Sequence, residues 1–330
     1  MSLHPAVAAV RLGVRRHLAD VEPGSTVVVA CSGGADSLAL LAATVFEGEK
    51  AGWQVVGATI DHGLQPGSGE HAAHVVAQMA TLGAGETLSA RVQVDGGGLG
   101  PEAAARRARY AVLDQVAERA GAAGVLLGHT RDDQAETVLL GLTRGSGGRS
   151  VAGMRRAFDR YRRPLLDVSR DDTVTACQVQ GIEFWEDPHN HDRGFTRVRV
   201  RRTVLPLLEQ ELGPGVATTL ARTADQLRDD MDFLDDLAEA DWVELRDEDG
   251  SLPVDPLVGR PGPVRRRVLR LAALAAGAPS AELFHDHVLG MDALLTDWHG
   301  QKWIDLPGHL RCARRTGRLH FLRHGEPESR

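Results

Sequence analysis

The segment Ser32-Gly33-Gly34-Ala35-Asp36-Ser37 stands between the buried-strand pattern TVVVAC and the helical run LALLAATVF. A glycine turn that carries a strand directly into a helix restricts the fold more than any other feature of this chain, because it belongs to α/β architecture. The flanking sequence agrees. TVVVAC, WQVVGATI, LSARVQV and GVLLGH are short and rich in β-formers, and alanine- and leucine-rich helical segments separate them over the first 130 residues. That rhythm predicts a parallel sheet with helices packed on it.

The turn also has a chemistry. Two glycines let backbone N–H groups approach an anion closely, Ser32 and Ser37 add hydroxyl donors, and the helix start adds about half a positive charge. Asp36 would repel a phosphate unless a magnesium ion lay between them, so it argues for a metal–nucleotide complex. A structural turn with a serine cap is the plain alternative for a lone Gly-Gly pair, and the whole hexapeptide argues against it. The Walker A pattern needs a lysine that this loop lacks.

Further chemistry-bearing residues follow later strands. Asp61-His62-Gly63-Leu64 ends the second, Glu102, Arg106, Arg109 and Tyr110 open a helix, and Gly128-His129-Thr130-Arg131-Asp132-Asp133-Gln134-Ala135-Glu136-Thr137 follows the fourth. In a parallel sheet these strand ends share one edge, where ligands bind. His129, Asp133 and Glu136 are spaced to share a helix face. Alone, such acids read as a solvated helix start and such histidines as packed or capping groups. The position at a strand end favours function.

Length and composition bound the rest. A chain of 330 residues suggests two domains. A Gly-Pro-Gly break at 213 to 215 and a change to acid-rich helical sequence place the expected boundary between 1–213 and 214–330, the second part smaller, mainly helical, and ending in a β-hairpin around Arg315-Thr316-Gly317. No apolar run reaches the roughly 20 residues of a membrane span, and the N-terminus lacks the pattern of a secretory signal, so a cytoplasmic protein is expected. Cys31, Cys177 and Cys312 are far apart without C-x-x-C spacing, which suggests neither a disulfide framework nor a cysteine-ligated metal.

Ser-Gly-Gly-x-Asp-Ser after the first strand is the signature of the ATP pyrophosphatase (PP-loop) family, whose members cleave ATP to AMP and pyrophosphate while adenylating a substrate. Arg144-Gly145-Ser146-Gly147, Arg163-Pro164-Leu165-Leu166, Trp185-Glu186-Asp187-Pro188-x-Asn190 and Arg197-x-Arg199-Val200-Arg201-x-x-x-Leu205-Pro206 follow in order. Together these segments, from about residue 26 to 208, resemble the tRNA(Ile)-lysidine synthases. Val198, where that family usually has Asn, and Gln65, where a basic residue often follows Asp-His-Gly-Leu, depart from its pattern.

The resemblance implies an adenine-nucleotide-binding, Rossmann-like catalytic domain and a tRNA-binding C-terminal domain. It implies ATP-dependent adenylation of the wobble cytidine of a CAU-anticodon tRNA(Ile), followed by attack of the ε-amine of free L-lysine. ATP and Mg2+ are the implied cofactors, with Asp36 holding the metal through ATP. Ser32, Gly33, Gly34, Ala35, Asp36, Ser37 and His62 are the expected nucleotide contacts. Asp36, His129, Asp133, Glu136, Arg197 and Arg201 are the expected catalytic residues, and Arg106, Arg109, Arg144, Asp187 and Asn190 the expected substrate contacts. A homodimer is left open. The rival readings are a tRNA 2-thiolating enzyme of the same family, which needs reactive cysteines, and a non-catalytic nucleotide-binding module.

A net charge of -7 makes the chain an unobvious partner for RNA. The positive charge is segregated, however, and the expected tRNA contacts are arginine patches at 197 to 202, at 260 to 270 and in the terminal hairpin.

Overall fold

The structure, a computed structural model, describes residues 3–61, 67–92, 101–144 and 147–323. His62 and Gln65 lie outside the described residues, as do the side chains of Glu102 and Arg144. The chain divides into two compact units, Met1–Gly145 with Ser150–Asp225, and Ser146–Arg149 with Gln226–Arg330.

The first unit begins α1 (Pro5–His17), β1 (Thr26–Ala30), α2 (Ala35–Ala51), β2 (Gln54–Asp61), α3 (Ser68–Thr81), β3 (Glu86–Arg91), α4 (Pro101–Arg119), β4 (Ala122–Leu127) and α5 (Arg131–Arg144). After the short α6 (Gly148–Val151) come β5 (Ala157–Phe158), β6 (Tyr161–Arg162) and α7 (Arg170–Val179). The four expected strands are all present. They form a sheet of order β3-β2-β1-β4-β6-β5, in which only the short β5–β6 pairing is antiparallel.

Alternation along β1 explains why the sheet is covered on both faces. Val27 and Val29 join one cluster with Val10 and Val14 of α1, Leu38 and Leu41 of α2, Met79 of α3 and Ala176 of α7. Val28 points the other way, to Val56, Val125 and Leu113 of α4. The chain runs from β1 outward to β2 and β3, then returns to place β4 on β1's other side. That reversal at β1 and β4 is where an open parallel sheet opens a crevice beyond its strand ends.

The unit continues through α8 (Thr196–Arg199), a π-helical turn at Val200–Val204 and α9 (Leu205–Leu212). Pro206 has no N–H to give the carbonyl four residues back, and the wider turn, closed by Leu205 N–H on the Val200 carbonyl, accommodates it. α10 (Val216–Leu245) follows, and the division between the units falls within it, beyond the Gly213-Pro214-Gly215 break.

The second unit adds β7 (Leu252–Pro253), α11 (Val254–Val258), α12 (Gly262–Ala275), α13 (His285–Thr296), β8 (Ile304–Leu306), β9 (Leu310–Arg315) and β10 (Arg318–Arg323). It has its own core, in which Leu310, Cys312 and Leu319 of the sheet meet Val268 and Leu269 of α12 and Met291 and Leu294 of α13. β9 and β10 form the expected hairpin; β7 and β8 flank it in an antiparallel sheet of order β7-β10-β9-β8. Its two-residue turn places Thr316 at φ 45 and Gly317 at φ 75, the left-handed pair that matches strand twist.

Candidate active site

A cleft of about 940 Å³ opens in the first unit beyond the carboxyl ends of β1, β2 and β4. Gly33 takes φ +83, and a Cβ there would lie 2.7 Å from Val75 Cγ2, so the loop after β1 needs glycine at this position. Gly34 caps α2 without a side-chain hydrogen bond, leaving the first-turn N–H groups to a ligand. The loop is held from within: Ser32 N–H donates to Ser37 Oγ at 3.1 Å, and Ser37 Oγ donates to the Gly34 carbonyl at 2.9 Å. Trp185 N–H donates to the Gly33 carbonyl at 2.9 Å, and the Trp185 ring lies 4.2 Å from that of His71. Behind the loop, Gly128 packs so closely that a Cβ would stand 3.1 Å from Ser37 Cα.

Asp36 opens α2 and reaches the hydroxyl of Thr173, which donates to its Oδ1. Burial pushes its carboxyl up to about 6; Arg170, with Nε 3.6 Å from Asp36 Oδ2, works against that rise, and Asp133 adds to it.

Asp133 has two duties. Its Oδ2 accepts from Thr130 N–H at 2.9 Å and Thr130 Oγ1 at 3.0 Å, tying down the start of α5. Its Oδ1 accepts from Arg170 Nη2 at 2.7 Å and Arg201 Nη2 at 3.2 Å. Burial would raise its carboxyl, but Arg170, the Thr130 N–H and Arg201 outweigh burial and hold it below the usual range. The plain reading of Asp133 as a helix-start acid is therefore true of one oxygen and not of the other.

Glu136 is 0 % exposed and does not line the cleft. Its Oε1 accepts from Arg201 Nε at 2.6 Å and Arg170 Nη1 at 3.3 Å, its Oε2 accepts from Arg201 Nη2 at 3.1 Å, and Arg197 Nε stands 3.6 Å from Oε2. Arg197 also donates from Nη2 to Thr137 Oγ1 at 3.0 Å. Three carboxylates thus face three guanidinium groups. Buried charges persist only when neutralised in this way.

His129 is the opposite case. Burial pushes its imidazole down to about 3, and Arg163 adds repulsion, so it is neutral at pH 7. Arg109 lines the cleft, and its Nε is buried without a hydrogen-bond partner among the described residues. Burial also lowers its pKa. Arg106 is exposed, outside the lining, with Nη2 3.5 Å from Tyr110 Oη.

The cleft therefore gathers Ser32, Gly34, Ala35, Asp36, Ser37, Arg109, His129, Asp133, Asp187, Asn190, Arg197 and Arg201 of the expected residues. Arg170 was not among those expectations, although it contacts all three carboxylates. Its signal in the sequence was local: in Ser169-Arg170-Asp171-Asp172 an arginine occupies the first position of a helix, where a cation opposes the helix dipole.

Among the described residues no group of three His, Cys, Asp or Glu side chains could hold a metal ion. Asp36 alone at the loop suits a magnesium ion whose other ligands are phosphate and water, the ordinary arrangement of a metal–nucleotide. The three thiols are buried; burial pushes those of Cys31 and Cys177 up to about 12 and that of Cys312 higher still.

The PP-loop domain family matches residues 10–208, and the TilS substrate binding domain matches 252–320. A tRNA(Ile)-lysidine synthase of Thermobifida fusca is 50 % identical over 315 residues, covering 96 % of this chain and 97 % of that protein. Another, of Streptomyces coelicolor, is 50 % identical over 348 residues and covers 97 % and 99 %. The chain belongs to the tRNA(Ile)-lysidine synthase family. Among solved structures, a U34-tRNA thiolase of Methanococcus maripaludis with its 4Fe–4S cluster matches at a TM-score of 0.57 and 16 % identity, over 67 % of this chain and 79 % of that one. This likeness is one of fold.

Proposed function

We propose that the cleft beyond β1 and β4 carries out ATP-dependent lysidine formation: adenylation of the wobble cytidine of a CAU-anticodon tRNA(Ile), then attack by the ε-amine of free L-lysine, with release of AMP and pyrophosphate. The observation that carries this is the meeting, at one sheet edge, of the glycine loop bearing Asp36 with the Asp133–Arg170–Arg201 cluster, in a chain of this family.

The loop N–H groups, Ser32 and Ser37 would bind the ATP phosphates. Asp36 would hold magnesium, which when bound neutralises polyphosphate charge. Asp133, facing the cleft, would receive the lysine ammonium, which at a pKa near 10.4 must shed a proton at a cost of roughly 4.6 kcal/mol at pH 7. Glu136 would act through Arg201 and Arg197, fixing two cations that steady the negative charge of the adenylate or the RNA. His129 would donate from a neutral ring. Arg109, Asp187 and Asn190 line the same cleft and would position substrate, with Arg106, Arg144 and His62 assigned by the family pattern.

We assign catalysis to 1–213 and tRNA binding to 214–330, in the cytoplasm. No helix among the described residues is long and apolar enough to cross a membrane. In the second unit Arg311 lies over Trp303 at 4.4 Å and Arg314 over Trp298 at 4.6 Å, flat cationic pairs suited to unpaired bases.

The deciding experiment is mass spectrometry of a tRNA(Ile) transcript incubated with protein, ATP, magnesium and lysine. The expected result is a mass gain of one lysine residue at the wobble cytidine. A transcript left unchanged while ATP is consumed, or one that gains sulfur from a supplied donor, sinks the reading.

A further inference from the structure

The Arg170 guanidinium stands between two parts of the site contributed by different elements. Nη2 donates to Asp133 Oδ1 at 2.7 Å and Nη1 to Glu136 Oε1 at 3.3 Å. On the other side Nε is 3.6 Å from Asp36 Oδ2, an ion pair longer than a hydrogen bond. The backbone of this residue is fixed: its N–H donates to Asp132 Oδ2 at 2.8 Å, and the capping box of Ser169 and Asp172 anchors the first turn of α7. The side chain, which lines the cleft, is thus a cation on a fixed pivot with a tight contact to Asp133 and a loose one to Asp36.

We propose that Arg170 is a positioning residue that couples nucleotide loading at Asp36 to the state of Asp133. This rests on the reading that the loop takes a magnesium nucleotide. While Asp133 holds Nη2, the guanidinium is kept off Asp36, and that carboxylate stays available to a metal. When Asp133 loses its charge or turns to another cation, Arg170 loses its shortest contact and closes on Asp36, with which it already forms the longer ion pair. Asp36 is then withdrawn from the metal. Linkage makes the effect reciprocal: a metal at Asp36 strengthens the hold of Arg170 on Asp133.

The test is calorimetric titration of ATP, with magnesium and with EDTA, into wild type, D133N, R170Q, R170K and the double variants D133N/R170Q and D133N/R170K. Asn at 133 keeps an acceptor for the start of α5. D133N is expected to weaken Mg·ATP binding about fivefold or more when Arg170 is present and less than about twofold when it is Gln. Lysine at 170, which keeps the charge, restores part of the coupling, and it keeps the cycle readable if R170Q does not fold. ATP binding in EDTA is expected to change less than about twofold throughout. Equal effects of D133N in both backgrounds, or equal losses with and without magnesium, overturn the proposal. Wild type that binds ATP in neither condition overturns it together with the reading of the loop, an outcome distinct from additivity.

Discussion

Arg163 Nε donates to His129 Nδ1 at 3.3 Å, which leaves the imidazole proton on Nε2. Arg163 is itself pinned, through Nη1 on the Arg155 carbonyl at 2.5 Å and stacking over Phe158 at 4.6 Å. A ring so held, with its pKa pushed down to about 3, is unsuited to accept a proton at pH 7.

This arrangement predicts a pH effect on stability. The folded His129 pKa is depressed to about 3, while the unfolded chain titrates near 6.5, so the unfolded state binds more protons in between and stability is lost as pH falls below 6.5. From pH 7 to 5 the loss is up to about 2 kcal/mol. Asp36 titrates in the opposite sense over part of that window, so the comparison must be with H129Q. Urea unfolding at both pH values should show H129Q losing less stability than wild type; equal losses would contradict the assignment of a buried neutral ring.

Asp36→Ala should abolish magnesium-dependent pyrophosphate release and leave the unfolding midpoint near that of wild type. The carboxyl is already raised to about 6 by burial, and Arg170 keeps Asp133 and Glu136 as partners. Pyrophosphate release at the wild-type rate would remove Asp36 from the site.

Asp133→Asn and Glu136→Gln should each cut lysidine formation at least about a hundredfold, by different routes. Asp133 lines the cleft but is buried and paired with Arg170 and Arg201, so its variant, which keeps the acceptor for Thr130, should lose some stability, though less than the Glu136 variant. Glu136 is enclosed by guanidinium groups, and its variant should lose about 3 kcal/mol of stability. Measuring product by mass spectrometry and stability by urea unfolding separates them. Two stable, active variants would return both residues to an ordinary helix start.

Cys31→Ala with Cys177→Ala should retain lysidine formation within about fivefold, because thiols pushed up to about 12 supply almost no thiolate at neutral pH. Loss of activity with the fold intact would favour sulfur chemistry.

Arg265, Arg266 and Arg267 changed together to Ala should cost stability more than tRNA affinity. Arg265 Nε donates to Asp292 Oδ1 at 2.5 Å and Arg267 Nε to Asp235 Oδ1 at 2.6 Å, so two of the three are committed within their own unit. Trp298→Ala with Trp303→Ala should instead weaken tRNA binding with little change in its salt slope, measured by filter binding at several ionic strengths. A flattened salt dependence in the arginine variant would restore that helix as an RNA contact.

The first unit was legible because its determinants are local. The strand TVVVAC, the glycine loop and LALLAATVF fix a strand–turn–helix within the 21 residues from 26 to 46, close to the span over which periodicity can be read. Asp133, Glu136, Arg197 and Arg201 could be proposed from motif order alone. What sequence did not disclose was their pairing: that Glu136 faces arginines and not the cleft, and that Arg170, from an otherwise ordinary capping box, stands among the carboxylates. Those relations depend on how α5, α7 and the π turn pack, which no local pattern encodes. The hairpin turn was visible at Thr316-Gly317, whereas β7 is too short to announce itself.

The order in which the chain leaves the ribosome gives the carboxylate cluster a further meaning. Asp133 and Glu136 are synthesised before any of their cationic partners, Arg170, Arg197 and Arg201. Until residue 201 has emerged, enclosing Glu136 would bury a charge without its tightest counter-ion, Arg201. The nucleotide loop and the first strands can take shape early, but the unit as a whole can close only late in translation. Nascent chains halted before Arg201 should therefore remain open to protease around α5, and those halted after it should not.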